Sequence, residues 1–318
     1  MASAITHSAV TPGLGSPRPV SSGTDDHRGL VRKVLAYVAL TKPRIIELLL
    51  ISTVPTMFVA ERGVPSLSLM VWTVLGGTLS AGGANAVNMY VDRDIDAVMQ
   101  RTRDRPLVTG AVTPRAALTF AVGIEAVSFA LLWATVNLLS AVIAVAACCF
   151  YVFVYTLWLK RTSEQNIVIG GAAGAAPVLI GWAAVTGGLG WAPWILFALM
   201  FFWTPPHFWA LAIKYKDDYS AVDVPMLPSV ADHAVVTRRI LVYTAAVVAM
   251  SLVFGPVARL GWLYIVAAVV LGIGFIALAF GVSRTESPKL AMRLFTYSIT
   301  YVTLLFGAMA VDALLLGH

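Results

Sequence analysis

Apolar and polar positions come in long alternating blocks along this chain. Apolar runs of about twenty residues, the length that crosses a bilayer as a helix, cover 36–60, 67–90, 114–135, 139–159, 166–186, 191–213, 236–256, 260–282 and 292–315. They predict nine transmembrane helices, and therefore an all-α integral membrane protein with one domain over 31–318. Residues 1–30 are different: rich in Ser, Gly and Pro and without hydrophobic period, they predict a disordered tail. That tail is poor in Arg and carries Asp25 and Asp26, which argues against an organellar transit peptide and leans toward a bacterial source.

The polar blocks fall into two sets. The tail, 91–113, 160–165, 214–235 and 283–291, with the helix ends bordering them, hold 20 of the 22 Lys and Arg; the alternate connections hold only Arg62 and Arg259. By the positive-inside rule the first set is cytoplasmic, which places the N-terminus inside and the C-terminus outside a cell (inner) membrane. Composition agrees. The chain is 59% hydrophobic and 12% charged with a mean hydropathy of +0.83, more apolar surface than a soluble protein of 318 residues can hide. Its net charge of +6 therefore reports topology and gives no reason to expect nucleic acid. Cys148 and Cys149 are adjacent in an apolar run and predict no structural disulfide.

One polar block concentrates charge. "NMYVDRDIDAVMQRTRDRP" (residues 88–106) contains four of the sixteen acidic residues. Asn88, Asp92 and Asp96 are spaced i, i+4, i+8, which lines one helical face. Oxygen donors in that register suit a hard divalent cation such as Mg²⁺, which takes one or two carboxylates and completes its shell with water and substrate phosphate. A second block, "KYKDDYSAVDVPMLPSVADH" (residues 214–233), offers Asp217, Asp218 and Asp223 on the same predicted side. Lys42, Arg44, Arg105, Lys160, Arg161 and Lys214 gather there too, and Arg and Lys at such a boundary suit phosphate oxygens. A mixed Asp/Arg loop is ordinarily a solvated, self-paired surface. Here the spacing begins inside an apolar span, where Asn88 and Asp92 are costly without a purpose.

Asn88-x-x-x-Asp92-x-x-x-Asp96 resembles the first aspartate-rich motif of the UbiA superfamily of intramembrane prenyltransferases, and "LTKPR" (residues 40–44) resembles the start of its first helix. Within that superfamily, "QNIVIGGAAGAAPVLIGWAAVTG" (165–187), "FFWTPPHFWALAIKYKDDY" (201–219) and "VPMLP" (224–228) resemble the heme-farnesylating branch, and the likeness runs from about residue 30 to the end. It implies a nine-helix UbiA-type bundle with a cytoplasm-facing cavity, farnesyl diphosphate and heme B as substrates, Mg²⁺ as cofactor, and heme A synthase as a downstream partner. It also implies that Asp92, Asp96, Asp217 and Asp218 hold the metal with Asn88 supporting them, while Arg44, Arg105, Lys160, Arg161 and Lys214 bind the diphosphate. The second block lacks the Asp-x-x-x-Asp spacing of many superfamily members, which leaves the ligands of a second metal open.

His207 follows Pro205–Pro206 inside an apolar span. Tandem prolines remove helical hydrogen bonds and predict a kink, and a histidine there is a candidate to ligate heme iron or hold a propionate; the plainer alternative is that it satisfies a freed carbonyl. Three other functions compete. A prenyltransferase for quinone precursors would keep the aspartates but lack "WTPPHFWALAIKYKDDY". A secondary transporter would place its polar groups near the bilayer midplane. An electron-transfer heme subunit would need paired axial histidines, and only His207 lies in a span.

Overall fold

The computed structural model describes residues 22–316, with the side chains of 22–28 and 44–50 left aside. All regular structure in this range is helical. The long helices are α1 (Ser22–Leu40), α2 (Pro43–Glu61), α3 (Leu67–Val91), α5 (Pro114–Thr135), α6 (Leu138–Thr162), α7 (Asn166–Thr186), α8 (Trp191–Lys214), α11 (His233–Val257), α12 (Trp262–Arg284) and α13 (Pro288–Leu315). Three short helices sit in the connections: α4 (Arg93–Val98), α9 (Lys216–Ser220) and α10 (Leu227–Val230). Among the described residues, eight helices, α3, α5–α8 and α11–α13, are long and apolar enough to cross a membrane. With these eight apolar helices the protein is a multi-span membrane protein. Helix α2, expected as the first of nine, packs on α3, α7 and α13 within the same bundle.

The expected first span over 36–60 is interrupted. Chain direction changes at Thr41–Lys42, where Lys42 takes a left-handed φ of 53° and Pro43 starts α2. Proline fits a first helical turn and disfavours α geometry in the residue before it. The apolar pattern ran through this break because Leu40 and Ile45 flank it on both sides. Helix α1 also starts at Ser22, so 22–30, expected as disordered tail, are helical; 1–21 lie outside the described residues.

Helices follow one another around the bundle and α13 returns to α2 to close it, with α7 and α8 the most enclosed of the spans. Small residues explain α7: a Cβ on Gly181 would stand 2.8 Å from the Thr53 carbonyl oxygen of α2, so only glycine permits that approach. The core gathers large side chains from α8 and α11–α13, including Trp209, Phe254, Phe275, Tyr301 and Phe306. Buried Thr56, Thr73 and Thr204 satisfy themselves by donating to the carbonyl four residues back. The carboxylate Glu125 within α5 accepts from Ser80 of α3 at 3.1 Å. Pro205 and Pro206 lie inside α8, which is helical from Trp191 to Lys214.

Helix α6 changes type: Leu138–Cys149 is α-helical, Phe150–Leu159 is π-helical, and Lys160–Thr162 is again α. Its i→i+5 turns are wider, a feature often found at functional sites. Gly170 of α7 admits the Tyr155 ring, since a Cβ there would lie 2.3 Å from a ring carbon. Cys148 and Cys149, beside this junction, are both free thiols.

Candidate active site

The aspartate-rich stretch sits where α3 ends. Asp92 terminates α3, and its backbone N–H still donates to the Asn88 carbonyl; α4 then restarts and carries Asp94 and Asp96. Backbone hydrogen bonds from Asp92 N–H to Asn88 and from Asp96 N–H to Asp92 carry the i, i+4, i+8 spacing across the junction of the two helices. All three are buried, Asp92 completely.

Cations from two other segments, and Arg105 from the stretch itself, meet these groups. Lys160, in the last turn of α6, is ion-paired with Asp92 Oδ2, which also accepts from Asn88 Nδ2 at 2.8 Å. Arg105 Nη1 donates to Asp96 Oδ2 at 2.5 Å. Lys42 Nζ donates to Asn88 Oδ1 at 2.7 Å, so the left-handed residue at the α1–α2 break joins the site. Asn88 Nδ2 donates in addition to Thr156 Oγ1 at 3.2 Å, from the π-helical part of α6. Arg161 forks onto Asp94 at 2.8 and 2.6 Å and its Nη2 donates to the Val91 carbonyl at the end of α3.

Electrostatics follow from this packing. Burial, helped by the positive charges of Arg105 and Lys160, lowers the Lys42 ammonium to a pKa of about 7. The Arg161 guanidinium holds the Asp94 carboxyl down at about 2. Asp92 Oδ1 is buried without a hydrogen-bond partner, with Arg161 Nη2 3.9 Å from it. A buried carboxylate oxygen left in this state calls for an explanation, and a hard cation fits that oxygen chemically.

The second block approaches differently. Arg101 lies 5.9 Å from the ring centroid of Tyr215 and acts electrostatically on Tyr219, which puts 214–220 beside the first loop. Burial pushes the Tyr219 phenol up, and Arg101 pulls the other way. Asp217 on α9 is exposed and Asp218 half-buried. Asp223 is exposed at a φ of 52°. Lys214 turns its ammonium over Tyr215, 5.3 Å from the ring centroid. Among the described residues, no three carboxylate, histidine or cysteine side chains converge, so the four expected metal ligands stand as a first-loop pair and a separate α9 pair. The side chain of Arg44 lies outside the described ones.

His207 occupies a different part of the bundle. Its ring is sandwiched between Trp203 and Phe295, with centroids at 4.2 and 4.5 Å, and Nδ1 is 2.7 Å from Ser298 Oγ of α13. Trp203 Nε1 donates to the Ser298 carbonyl. Nδ1 is thereby engaged, and Nε2 is the nitrogen a ligand would use.

Sequence reasoning passed over Thr156 and gave Lys42 no particular partner. Thr156 had no polar neighbour to announce it within an apolar run, and the partner it meets lies 68 residues away. Tyr151 and Tyr155, stacked at 5.2 Å on the same π segment, add an aromatic wall near these groups.

Several known proteins share this sequence or this fold. The UbiA prenyltransferase family profile matches residues 49–306. A protoheme IX farnesyltransferase of Streptomyces avermitilis is 54% identical over 93% of this chain and 99% of its own length. One from Frankia casuarinae is 59% identical over 89% of this chain and 99% of its own. Among solved structures, a digeranylgeranylglyceryl phosphate synthase superposes with a TM-score of 0.74 at 16% identity, covering 89% of this chain and 99% of that one. A UbiA homolog from Archaeoglobus fulgidus, bound to GPP and Mg²⁺, gives 0.58 at 15% identity over 86% and 99%. The chain belongs to the UbiA prenyltransferase family, and its place there is among the protoheme IX farnesyltransferases.

Proposed function

We infer that this protein transfers the farnesyl group of farnesyl diphosphate to the 2-vinyl group of heme B, with addition of water, giving heme O and diphosphate. The observation that carries the site assignment is Asp92: fully buried at the end of a span, ringed by Lys160, Arg161 and Asn88, with one carboxylate oxygen unpartnered.

The difficult step is heterolysis of the allylic C–O bond, in which the electron pair leaves with diphosphate. Asp92 and Asp96 are the proposed holders of Mg²⁺, with Asp217 and Asp218 completing the set from α9. When bound, Mg²⁺ supplies charge neutralisation on the leaving diphosphate. The relatedness to a Mg²⁺- and GPP-bound UbiA homolog supports this. Asn88 orients Asp92 through its amide and is itself held by Lys42 and Thr156. Lys160 and Arg105 neutralise Asp92 and Asp96 in the absence of substrate. On substrate binding they turn toward phosphate oxygens, joined by Arg44, Arg161 and Lys214; Arg forks favour such bidentate contacts. Tyr151 and Tyr155 present π faces that shelter the allylic cation. The vinyl carbon attacks that cation, water adds to the resulting porphyrin-side cation, and a proton is released. No protein nucleophile takes part. His207 is proposed to contact heme through Nε2.

The protein is placed in the cell (inner) membrane with its N-terminus and this site on the cytoplasmic side, in keeping with its basic loops. Heme A synthase is the proposed partner that receives the product.

The test uses membranes of a host lacking heme O, supplied with heme B, farnesyl diphosphate and Mg²⁺, with extracted hemes read by mass spectrometry. The expected product carries the added mass of farnesyl plus water. Active conversion of a quinone precursor with no new heme would overturn the substrate assignment.

A further inference from the structure

Away from the aspartates, a shallow, open groove of about 500 Å³ runs along α13, with Leu278 of α12 at its side. Its mouth carries Lys289 and Arg293, one helical turn apart, and its apolar flank is formed by Leu278 and Met292. Tyr297 lies along it with its hydroxyl donating to the Leu271 carbonyl of α12 at 2.9 Å, and Thr296 and Thr300 continue the line. Both threonines already donate to their own helix, so the far part of the groove makes no demand for polar partners. Neither Lys289 nor Arg293 takes part in an ion pair among the described residues, and no carboxylate lines the groove. Both cations are exposed.

The position is as informative as the composition. His233 Nε2 lies 3.2 Å from the Val282 carbonyl, so the end of α12 is level with the start of α11 and with the 214–233 block. The cationic mouth therefore sits at the same end of the bundle as the aspartates. From Lys289 to Thr300 the helix rises about 16 Å at 1.5 Å per residue. That is half of the roughly 30 Å hydrocarbon thickness, the depth of one leaflet. A ligand matching this groove has an anionic head at the interface and one long apolar chain reaching the midplane. Basic pockets between helix ends at that level recognise anionic lipid headgroups.

We propose that the α12–α13 groove is a binding site for an anionic phospholipid, with its phosphate on Lys289 and Arg293 and an acyl chain along Met292, Tyr297 and Thr300. Farnesyl diphosphate shares the head-and-tail chemistry, so the experiment distinguishes the two. Delipidated protein in detergent is titrated with phosphatidylglycerol or with phosphatidylcholine, and bound lipid is counted by native mass spectrometry. Wild type should prefer phosphatidylglycerol by about tenfold or more, since each basic residue near the headgroup contributes to the attraction. K289Q/R293Q should lose that preference, while R259Q, at the opposite end, should keep it. If the double variant fails to fold, K289R/R293K gives the answer: it should retain the preference, and its loss would count against the site. A wild-type preference in K289Q/R293Q, or stoichiometric displacement of phosphatidylglycerol by farnesyl diphosphate, would overturn the proposal.

Discussion

The two aspartate-bearing loops face the same end of the bundle and handle charge in opposite ways. In the first, Asp92 and Asp96 are buried, Asp92 against Lys160 from α6 and Asp96 against Arg105 of the same loop. In the second, Asp217 and Asp223 are exposed and Asp218 half-buried on a five-residue helix, and the contacts to the first loop run through Arg101 and two tyrosines instead. Burial makes the first loop a fixed site whose electrostatics are strong because water is excluded. The second is solvated, and in the proposed mechanism it completes the site around a ligand that the first loop holds. The lesson is that equal residue types at one membrane face do unequal work according to what their helix ends are packed against.

The largest expected effect comes from breaking the fixed loop. D92N removes the charge that balances Lys160 and Arg161 and should lower kcat/KM for farnesyl transfer by about 10³-fold, the scale for losing one preorganised electrostatic contact. The readout is heme O formation rate at limiting farnesyl diphosphate. D217N and D218N, measured the same way, should each fall by only about tenfold. A loss equal to that of D92N would make the two loops equivalent and end the comparison.

A smaller change sharpens the account of how the first loop is held. T156V deletes the hydroxyl that accepts from Asn88 Nδ2 while keeping the shape of the side chain. One buried hydrogen bond is worth about 1–1.5 kcal/mol, so kcat/KM should drop about tenfold and T156S should restore it. An unrescued loss would mean that Thr156 matters through packing in the π segment.

The mildest effect concerns pH. Lys42 titrates near 7 in the substrate-free protein, below its ordinary 10.5. An anion bound beside it favours the ammonium and raises that value. Binding of farnesyl diphosphate should therefore take up a proton above pH 7, and affinity should weaken as pH rises from 7 toward 10, with a flat response below 7. Calorimetry in two buffers of different ionisation heat measures the uptake, and K42M should abolish it.

Much of this architecture was legible from the pattern of apolar runs, because a bilayer allows few ways to satisfy a backbone. The break at Lys42–Pro43 was not, since apolar residues on both sides kept the hydrophobic window high; only the Thr-Lys-Pro step hinted at it. Asn88, Asp92 and Asp96 stood out because their spacing persists into polar sequence. Their partners could not be paired from sequence: Lys42 and Lys160 lie 46 residues from Asn88 and 68 from Asp92. Thr156 was hidden for another reason, as its orientation depends on a π turn that no period of 3.6 announces. The Ser298 hydroxyl beside His207 comes from a helix 91 residues on and was equally out of reach.

The most direct test of the central claim is metal binding itself. Mn²⁺, standing in for Mg²⁺, is titrated into purified protein with and without farnesyl diphosphate and followed by electron paramagnetic resonance, for wild type, D92N and D217N/D218N. The account predicts that D92N loses binding under both conditions, whereas D217N/D218N weakens it only when the diphosphate is present. Wild-type Mn²⁺ affinity in D92N would contradict it.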